Sequence, residues 1–150
     1  MDLEIKLQDR IWDREKHLRH IQDSDWLPML DLEKNPLEGI EGKHGVQGVK
    51  TDGTMIGADY IRMMPGSRFP IHEHDGDHEI FFIDGNGFVH IDGEDIAVRE
   101  GHLIHIPGEY PHGVWVDPEA SKPLIFVALG HPHKHVDAHD RMRTPHTHDK

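Results

Sequence analysis

Short apolar runs separated by glycine, proline and aspartate recur through the middle of the chain, and none has the length or spacing of a long helix. They predict short strands, at 46–50, 54–64, 88–91, 95–98, 103–106, 114–116 and 124–129. The run Ile-Phe-Phe-Ile at 80–83 does not alternate, which predicts a strand buried on both faces. Asp-Gly-Asn-Gly at 84–87 predicts a hairpin that returns residues 88–91 as its partner. Regular short strands with such turns predict an all-β sandwich or barrel.

The two ends of the chain have different patterns. Leu3, Ile5 and Leu7 alternate with polar residues and predict a strand, whereas 9–21 is compatible with a short surface helix. We therefore expect 1–43 to be a partly helical N-terminal extension that packs on a barrel formed by 44–130. The alternative is an arm exchanged with a second subunit. Residues 131–150 hold six histidines and almost no apolar mass, which predicts a solvated tail. Packing of 131–136 across the barrel mouth, or a second metal site, are the alternatives.

Composition and charge narrow the classes of function. The chain has 150 residues, the size of one domain, with 16 Lys and Arg against 28 Asp and Glu, a formal charge of -12. Phosphate backbones would repel it, so we expect no nucleic-acid partner. No apolar run reaches the length of a membrane span, and the charged N-terminus is unlike a signal peptide. The absence of cysteine excludes thiolate metal ligands, and together these features lead us to expect a cytoplasmic protein without a membrane partner.

The stretch 66–85, GSRFPIHEHDGDHEIFFIDG, contains the most informative chemistry. His72 and His74 are two residues apart, so in a strand their imidazoles lie on one face. Glu79 follows closely, and His112 lies downstream in a second histidine-bearing segment. Imidazole and carboxylate together suit zinc, iron, nickel or manganese. We predict that these four side chains converge on one metal ion inside a small β-barrel.

The same residues resemble the two motifs of the cupin superfamily. The first motif is glycine, five residues, H-x-H, three or four residues and glutamate, which here is Gly66, the pair 72 and 74, and Glu79. The second is glycine, five residues, P-x-G, two residues and histidine, matched by Gly101, Pro107 and His112. The resemblance covers residues 45–130. It implies a double-stranded β-helix, or jelly roll, and because similar proteins are often dimers it implies a homodimer.

Three features depart from the family pattern. Glu109 replaces the glycine of P-x-G, Val116 replaces an asparagine that often follows the motif histidine, and the interval from Glu79 to Gly85 is one residue short. His78 would restore the usual spacing on both sides and is therefore a rival ligand. We favour Glu79, because a one-residue deletion in the turn at 84–87 is easier to accommodate than a shifted ligand.

Three further side chains are candidates for substrate binding. Phe81 has the strand parity of Glu79 and would line the cavity, or else pack in the core. His90 lies mid-strand in apolar company, where it would support a ligand or act as a general base, or else face outward. Arg62 shares a strand face with Tyr60 and would clamp a substrate carboxylate, or else be solvated. No group is assigned as catalytic from the sequence.

The four predicted ligands favour one divalent transition metal, with iron(II) preferred and manganese, nickel, zinc or cobalt as alternatives. Open coordination positions suit a small oxygenated acid, diketone or aromatic substrate that chelates the ion. The predicted function is an iron(II) oxygenase. The alternatives are a metal-assisted isomerase, decarboxylase or cyclase that does not use dioxygen, and a non-catalytic module that binds a metal and a small ligand.

Overall fold

Ten strands form two antiparallel sheets in a computed structural model that describes residues 10–31, 33–74 and 76–132. In chain order the elements are α1 (Arg14–His17), β1 (Leu27–Leu30), β2 (Pro36–Val49), β3 (Met55–Met63), β4 (Arg68–His72), β5 (Asp77–Asp84), β6 (Asn86–Ile91), β7 (Glu94–Arg99), β8 (Leu103–Ile106), β9 (His112–Trp115) and β10 (Leu124–His131). The six-stranded sheet has the order β1-β2-β3-β10-β5-β8, and the four-stranded sheet the order β4-β9-β6-β7. This architecture confirms the predicted all-β jelly roll.

The hydrophobic core combines the inner faces of both sheets. Alternate residues of β3, β5, β8 and β10 supply one side of the core, and alternate residues of β4, β6, β7 and β9 supply the other. The core residues from these eight strands are Ile61, Met63, Ile80, Phe82, Ile106, Leu124, Phe126, Phe69, Val89, Val98 and Val114. Such two-residue alternation is what a sheet with one buried face requires. It also determines which polar side chains can point into the interior.

The structure of β5 and of the turn after it corrects two sequence predictions. Residues 80–83 are not buried on both faces, because Ile80 and Phe82 are in the core while Phe81 is 45% exposed. The prediction of a hairpin at 84–87 is also wrong. Gly85, with φ of +78°, leads directly from β5 in the large sheet to β6 in the small one, and the two strands do not pair. By contrast, the turn at Asp92 and Gly93, both with positive φ, joins the predicted strands β6 and β7 as a hairpin.

The segment before the barrel is mostly irregular. Of the helix predicted at 9–21, the described residues 10–21 form only the single turn α1, capped by the Asp13 carboxylate, which accepts from the Glu15 N–H. Further along, the indole of Trp26 lies under the guanidinium of Arg62, 4.5 Å from the ring centroid. Met29 of β1 belongs to the core, and β2 crosses the boundary proposed at residues 43 and 44.

Two predictions fall outside the described residues, namely the strand at 3–7 and the tail from 133 onward. In the part of the chain that the structure describes, no helix combines the length and apolar character needed to cross a bilayer.

Candidate metal centre

Three buried histidines converge at one end of the barrel, where β4 ends and β9 begins. One ligand atom from each of His72, His74 and His112 lies within 4.8 Å of the other two. The ring centroids of His72 and His112 are 4.5 Å apart, and those of His74 and His112 are 4.9 Å apart. The structure therefore brings together three of the four predicted ligands.

Strand pairing explains why these residues meet. His72 and His112 are directly opposite each other in the β4–β9 ladder, so their side chains share a face. His74 is two residues beyond His72 and returns to the same side. The carbonyl oxygen of His74 accepts a hydrogen bond of 2.7 Å from the backbone N–H of Glu109, which ties the turn before β9 to the histidine segment.

The backbone also orients each ring. The Nδ1 atoms of His72, His74 and His112 lie 2.8, 3.0 and 2.8 Å from a backbone carbonyl oxygen of a residue two positions away, those of Pro70, Gly76 and Tyr110. A carbonyl only accepts, so each Nδ1 carries the proton and the lone pair is on Nε2. This second hydrogen bond is the usual support of a metal-ligating histidine.

Electrostatics favour the neutral form that a metal needs. Burial lowers the pKa of His112 from 6.5 to about 4; the hydrogen bond to the Tyr110 carbonyl opposes this effect, and the neighbouring His74 adds to it. His112 is therefore an uncharged imidazole at neutral pH. Three buried imidazoles with defined tautomers form a donor set suited to zinc, iron, nickel or copper, so the residues present fit a divalent transition metal.

The fourth predicted ligand, Glu79, does not join the three histidines. Ile80 and Phe82 of the same strand are buried, and Glu79 has the opposite parity, so its carboxylate lies on the outer face of the large sheet. There it contacts two other imidazoles. Its neighbour His78 has the inward parity, and its ring centroid is 3.9 Å from that of His74. The rival ligand of the sequence analysis is thus the side chain that lies beside the centre.

The three residues predicted to bind substrate also lie away from the histidines. Phe81 is on the outer face of the large sheet for the same reason as Glu79, so its predicted place in the cavity is wrong. The guanidinium of Arg62 donates to the Glu41 carboxylate and stacks on the indole of Trp26.

His90 lies on the outer face of the small sheet. Its Nδ1 is 2.9 Å from the Asp95 carboxylate, which also accepts from the indole N–H of Trp115. Together with Arg68, these side chains line a cleft of about 430 Å³ on that face. His90 therefore cannot reach the three buried histidines.

Two features near the centre were not anticipated. Glu109, which replaces a motif glycine, has φ of +62°, so the turn keeps a left-handed backbone although the residue has changed. Glu73 is fully buried between two of the histidines in sequence. The motif glycine at position 109 is a signal for the left-handed turn, whereas spacing carries none for the burial of Glu73, which depends on how the strand end packs.

Comparison with known proteins agrees with the fold and this centre. Residues 59–130, a range that includes all three histidines, match the family model of the cupin domain. This range is therefore similar to the cupin domain, and the resemblance noted in the sequence is confirmed. This chain is 31% identical over 74 residues to an uncharacterized protein of Methanocaldococcus jannaschii, and the match covers 48% of this chain and 58% of that protein. The chain thus matches less than two thirds of that relative's length.

Solved structures show the same fold at low identity. A cupin-2 domain protein from Rhodospirillum rubrum superposes with a TM-score of 0.63 at 18% identity, covering 89% of this chain and 83% of that one. The polyketide cyclase RemF from Streptomyces resistomycificus superposes with a TM-score of 0.59 at 18% identity, covering 77% of this chain and 79% of that one. At these identities the likeness establishes the architecture alone.

Proposed function

We propose that this protein is a metal-dependent enzyme in which His72, His74 and His112 bind one divalent transition metal ion. The observation that carries the proposal is the set of three buried imidazoles, each oriented by a hydrogen bond from Nδ1 to a backbone carbonyl. A buried region that binds no metal would not be expected to bring three polar rings together, because the polar atoms of each buried ring need a bonding partner. We further propose His78 as the fourth protein donor, because it faces the same interior and its ring lies against that of His74.

The donor set supports a redox-neutral reaction. The iron(II) oxygenase predicted from the sequence depended on a carboxylate among the ligands, as in the 2-His-1-carboxylate sites of non-haem iron oxygenases. Glu79 is outside the set, so the four donors that we propose, His72, His74, His112 and His78, are all imidazoles. When bound, the ion would keep its full positive charge and polarise a substrate carbonyl or hydroxyl oxygen as a Lewis acid.

The chain itself would contribute position and environment. The ladder of β4 and β9 holds His72 and His112 at a constant separation, which limits how far the donor set can relax. The ring of Phe69 is 5.8 Å from that of His72, and Ile106, opposite His78 in the β5–β8 ladder, is fully buried. Apolar neighbours exclude water and strengthen charge interactions at the centre. A small substrate with two oxygen donors in chelating positions, able to form an enolate, fits this chemistry.

The test combines metal analysis with turnover assays. Protein purified without added metal is analysed for its elements, loaded with zinc, manganese, iron(II), nickel or cobalt, and incubated with β-diketones, hydroxy acids and polyketide-type substrates. Polyketide-type compounds are included because RemF, a cyclase by its title, shares the fold. We expect turnover at equal rates with and without dioxygen, and none in His112→Ala.

Three outcomes would contradict the proposal. Turnover that requires dioxygen and consumes it in step with substrate would instead support the iron(II) oxygenase. Tight binding of a chelating substrate without any turnover would support a non-catalytic binding module. Wild-type protein that retains no metal under any loading condition would remove the basis for both enzyme functions.

A further inference from the structure

A second group of metal-binding side chains lies on the outer face of the large sheet, on the adjacent strands β8, β5 and β10. The Glu79 carboxylate lies between two imidazoles, with one oxygen 3.5 Å from Nδ1 of His105 and the other 3.6 Å from Nε2 of His131. Asp77 completes the group, because one of its oxygens is 3.7 Å from Nε2 of His105. None of these side chains belongs to the buried centre.

The sheet register holds the group in place. Glu79 is directly opposite His105 in the β5–β8 ladder, and Asp77 is directly opposite His131 in the β5–β10 ladder. Side chains opposite each other in antiparallel strands have Cβ atoms roughly 5 Å apart, so each imidazole starts beside a carboxylate of β5, although the two imidazoles are on opposite sides of that strand. The backbones of three strands therefore determine the arrangement.

Asp77 is anchored in a way that orients His105. One oxygen of its carboxylate accepts the Gly108 N–H at 2.7 Å, which leaves the other facing Nε2 of His105. The separation of 3.7 Å is longer than a hydrogen bond; if metal binding shortened it to hydrogen-bond length, the proton would be on Nε2 and the lone pair of His105 on Nδ1, the atom that faces Glu79. Carboxylate, histidine and metal in this order is a recurring arrangement in zinc sites, and it raises the basicity of the ligand.

We propose that Glu79, His105 and His131 form a surface site for a divalent ion of the zinc type, with Asp77 as the residue that positions His105. Two donors on a tetrahedral zinc ion are about 3.3 Å apart, close to the separations of 3.5 and 3.6 Å between Glu79 and the two imidazoles. The imidazoles lie on different oxygens of Glu79, so binding draws the three side chains together by rotation. Their exposures of 46, 51 and 31% leave the side chains free to rotate.

The consequence of binding is mechanical as well as chemical. Strand β8 has four residues and forms an edge of the large sheet, paired only with β5 among the described strands. An ion held by His105 of β8, Glu79 of β5 and His131 of β10 would link this edge to the interior of the sheet. Bound metal adds to folding free energy, so occupancy of this site stabilises the edge.

The test counts zinc ions bound by the full-length chain and assigns them to residues. Zinc is titrated by calorimetry into the wild type, Glu79→Gln, His105→Ala, His112→Ala and the double variant Glu79→Gln/His112→Ala. We expect two tight equivalents in the wild type and one in each single variant. The chain has 16 histidines, so the double variant measures weak binding elsewhere, which is subtracted. Asp77→Asn should weaken the outer site about 10-fold without removing it.

A matched control comes from the other sheet. His90 has a carboxylate partner, Asp95, and a similar exposure, but in the described residues it has no second imidazole in contact with that carboxylate. His90→Ala should keep both equivalents. Unchanged zinc binding in both Glu79→Gln and His105→Ala would overturn the proposal and leave the group as a set of ion pairs. The same result follows if zinc-soaked crystals show no anomalous density beside Glu79.

Failure of the proposed function is a separate result. If His112→Ala kept both equivalents while Glu79→Gln lost one, the buried centre would be wrong and the surface site would stand.

Discussion

Replacing His112 by alanine tests the buried centre most directly, because this ring is 2% exposed and contacts both other histidines. A ligand that binds only the folded state stabilises it by about 2.7 kcal/mol at a concentration 100 times its Kd. For a chain of this size, 1 kcal/mol corresponds to about 2–4 °C in Tm, so metal should raise the Tm of the wild type by about 5–11 °C. If the lost donor weakens binding 100-fold, the remaining stabilisation is about 0.4 kcal/mol, or about 1 °C.

The assay is thermal unfolding with and without metal, in both proteins. Truncation leaves a cavity that lowers stability in either condition, and so does loss of the hydrogen bond to the Tyr110 carbonyl. Only the metal-dependent difference is therefore compared. Binding at the outer group of Glu79, His105 and His131 contributes equally to both proteins and cancels. An equal metal-dependent rise in Tm in His112→Ala and wild type would refute the assignment, and His90→Ala should behave as wild type.

Three further predictions concern β5 and its surroundings. By metal analysis, His78→Ala should weaken the buried site at least about 10-fold, whereas Glu79→Gln should leave it intact; the reverse would restore the ligand set predicted from the sequence. Phe82→Ala should lower the free energy of unfolding in urea by about 3–5 kcal/mol, because Phe82 is fully buried against Phe126, and a loss below about 1 kcal/mol would contradict this packing. Gly85→Ala should cost more than about 1 kcal/mol in the same assay, since φ is +78° and a Cβ would lie 2.3 Å from the Pro123 carbonyl oxygen; wild-type stability would argue against this turn.

Local signals in the sequence were sufficient for most strands after residue 45 and for the hairpin of β6 and β7, but not for β1 or for residues 36–45 of β2. The turn at Asp92 and Gly93 requires positive φ at two successive residues, and that requirement is visible in the two residue types alone. Gly85 gives a similar signal but leads to a different sheet. Whether a turn closes a hairpin or crosses between sheets depends on the strands that pair on either side, here β10 and β9, which are distant in sequence.

In the candidate site, too, some features follow from the local sequence and others depend on segments that are distant in sequence. His72 and His74 share a face because of their spacing, and His112 joins them by direct cross-strand pairing that the motif order anticipates. Arg62 was a candidate to clamp a substrate, but its guanidinium forms an ion pair with the Glu41 carboxylate and stacks on the indole of Trp26. Both partners come from segments more than 20 residues away, so no pattern around Arg62 could reveal them.

The choice between His78 and Glu79 is decided by the core. Ile80 and Phe82 are both buried, and a strand alternates with a period of two, so His78 must face inward and Glu79 outward. Turning Glu79 inward would require a slip of one residue, which would expose Phe82 and bury Phe81. Phe81 and Ile83 would then replace Phe82 and Ile80 in the core, so the apolar area buried would change little, and the cost of the slip is that it places a carboxylate among apolar residues. Spacing within a motif cannot weigh this cost, and because the run at 80–83 is apolar at both parities, the choice becomes visible only once the structure shows that Ile80 and Phe82 are the buried pair.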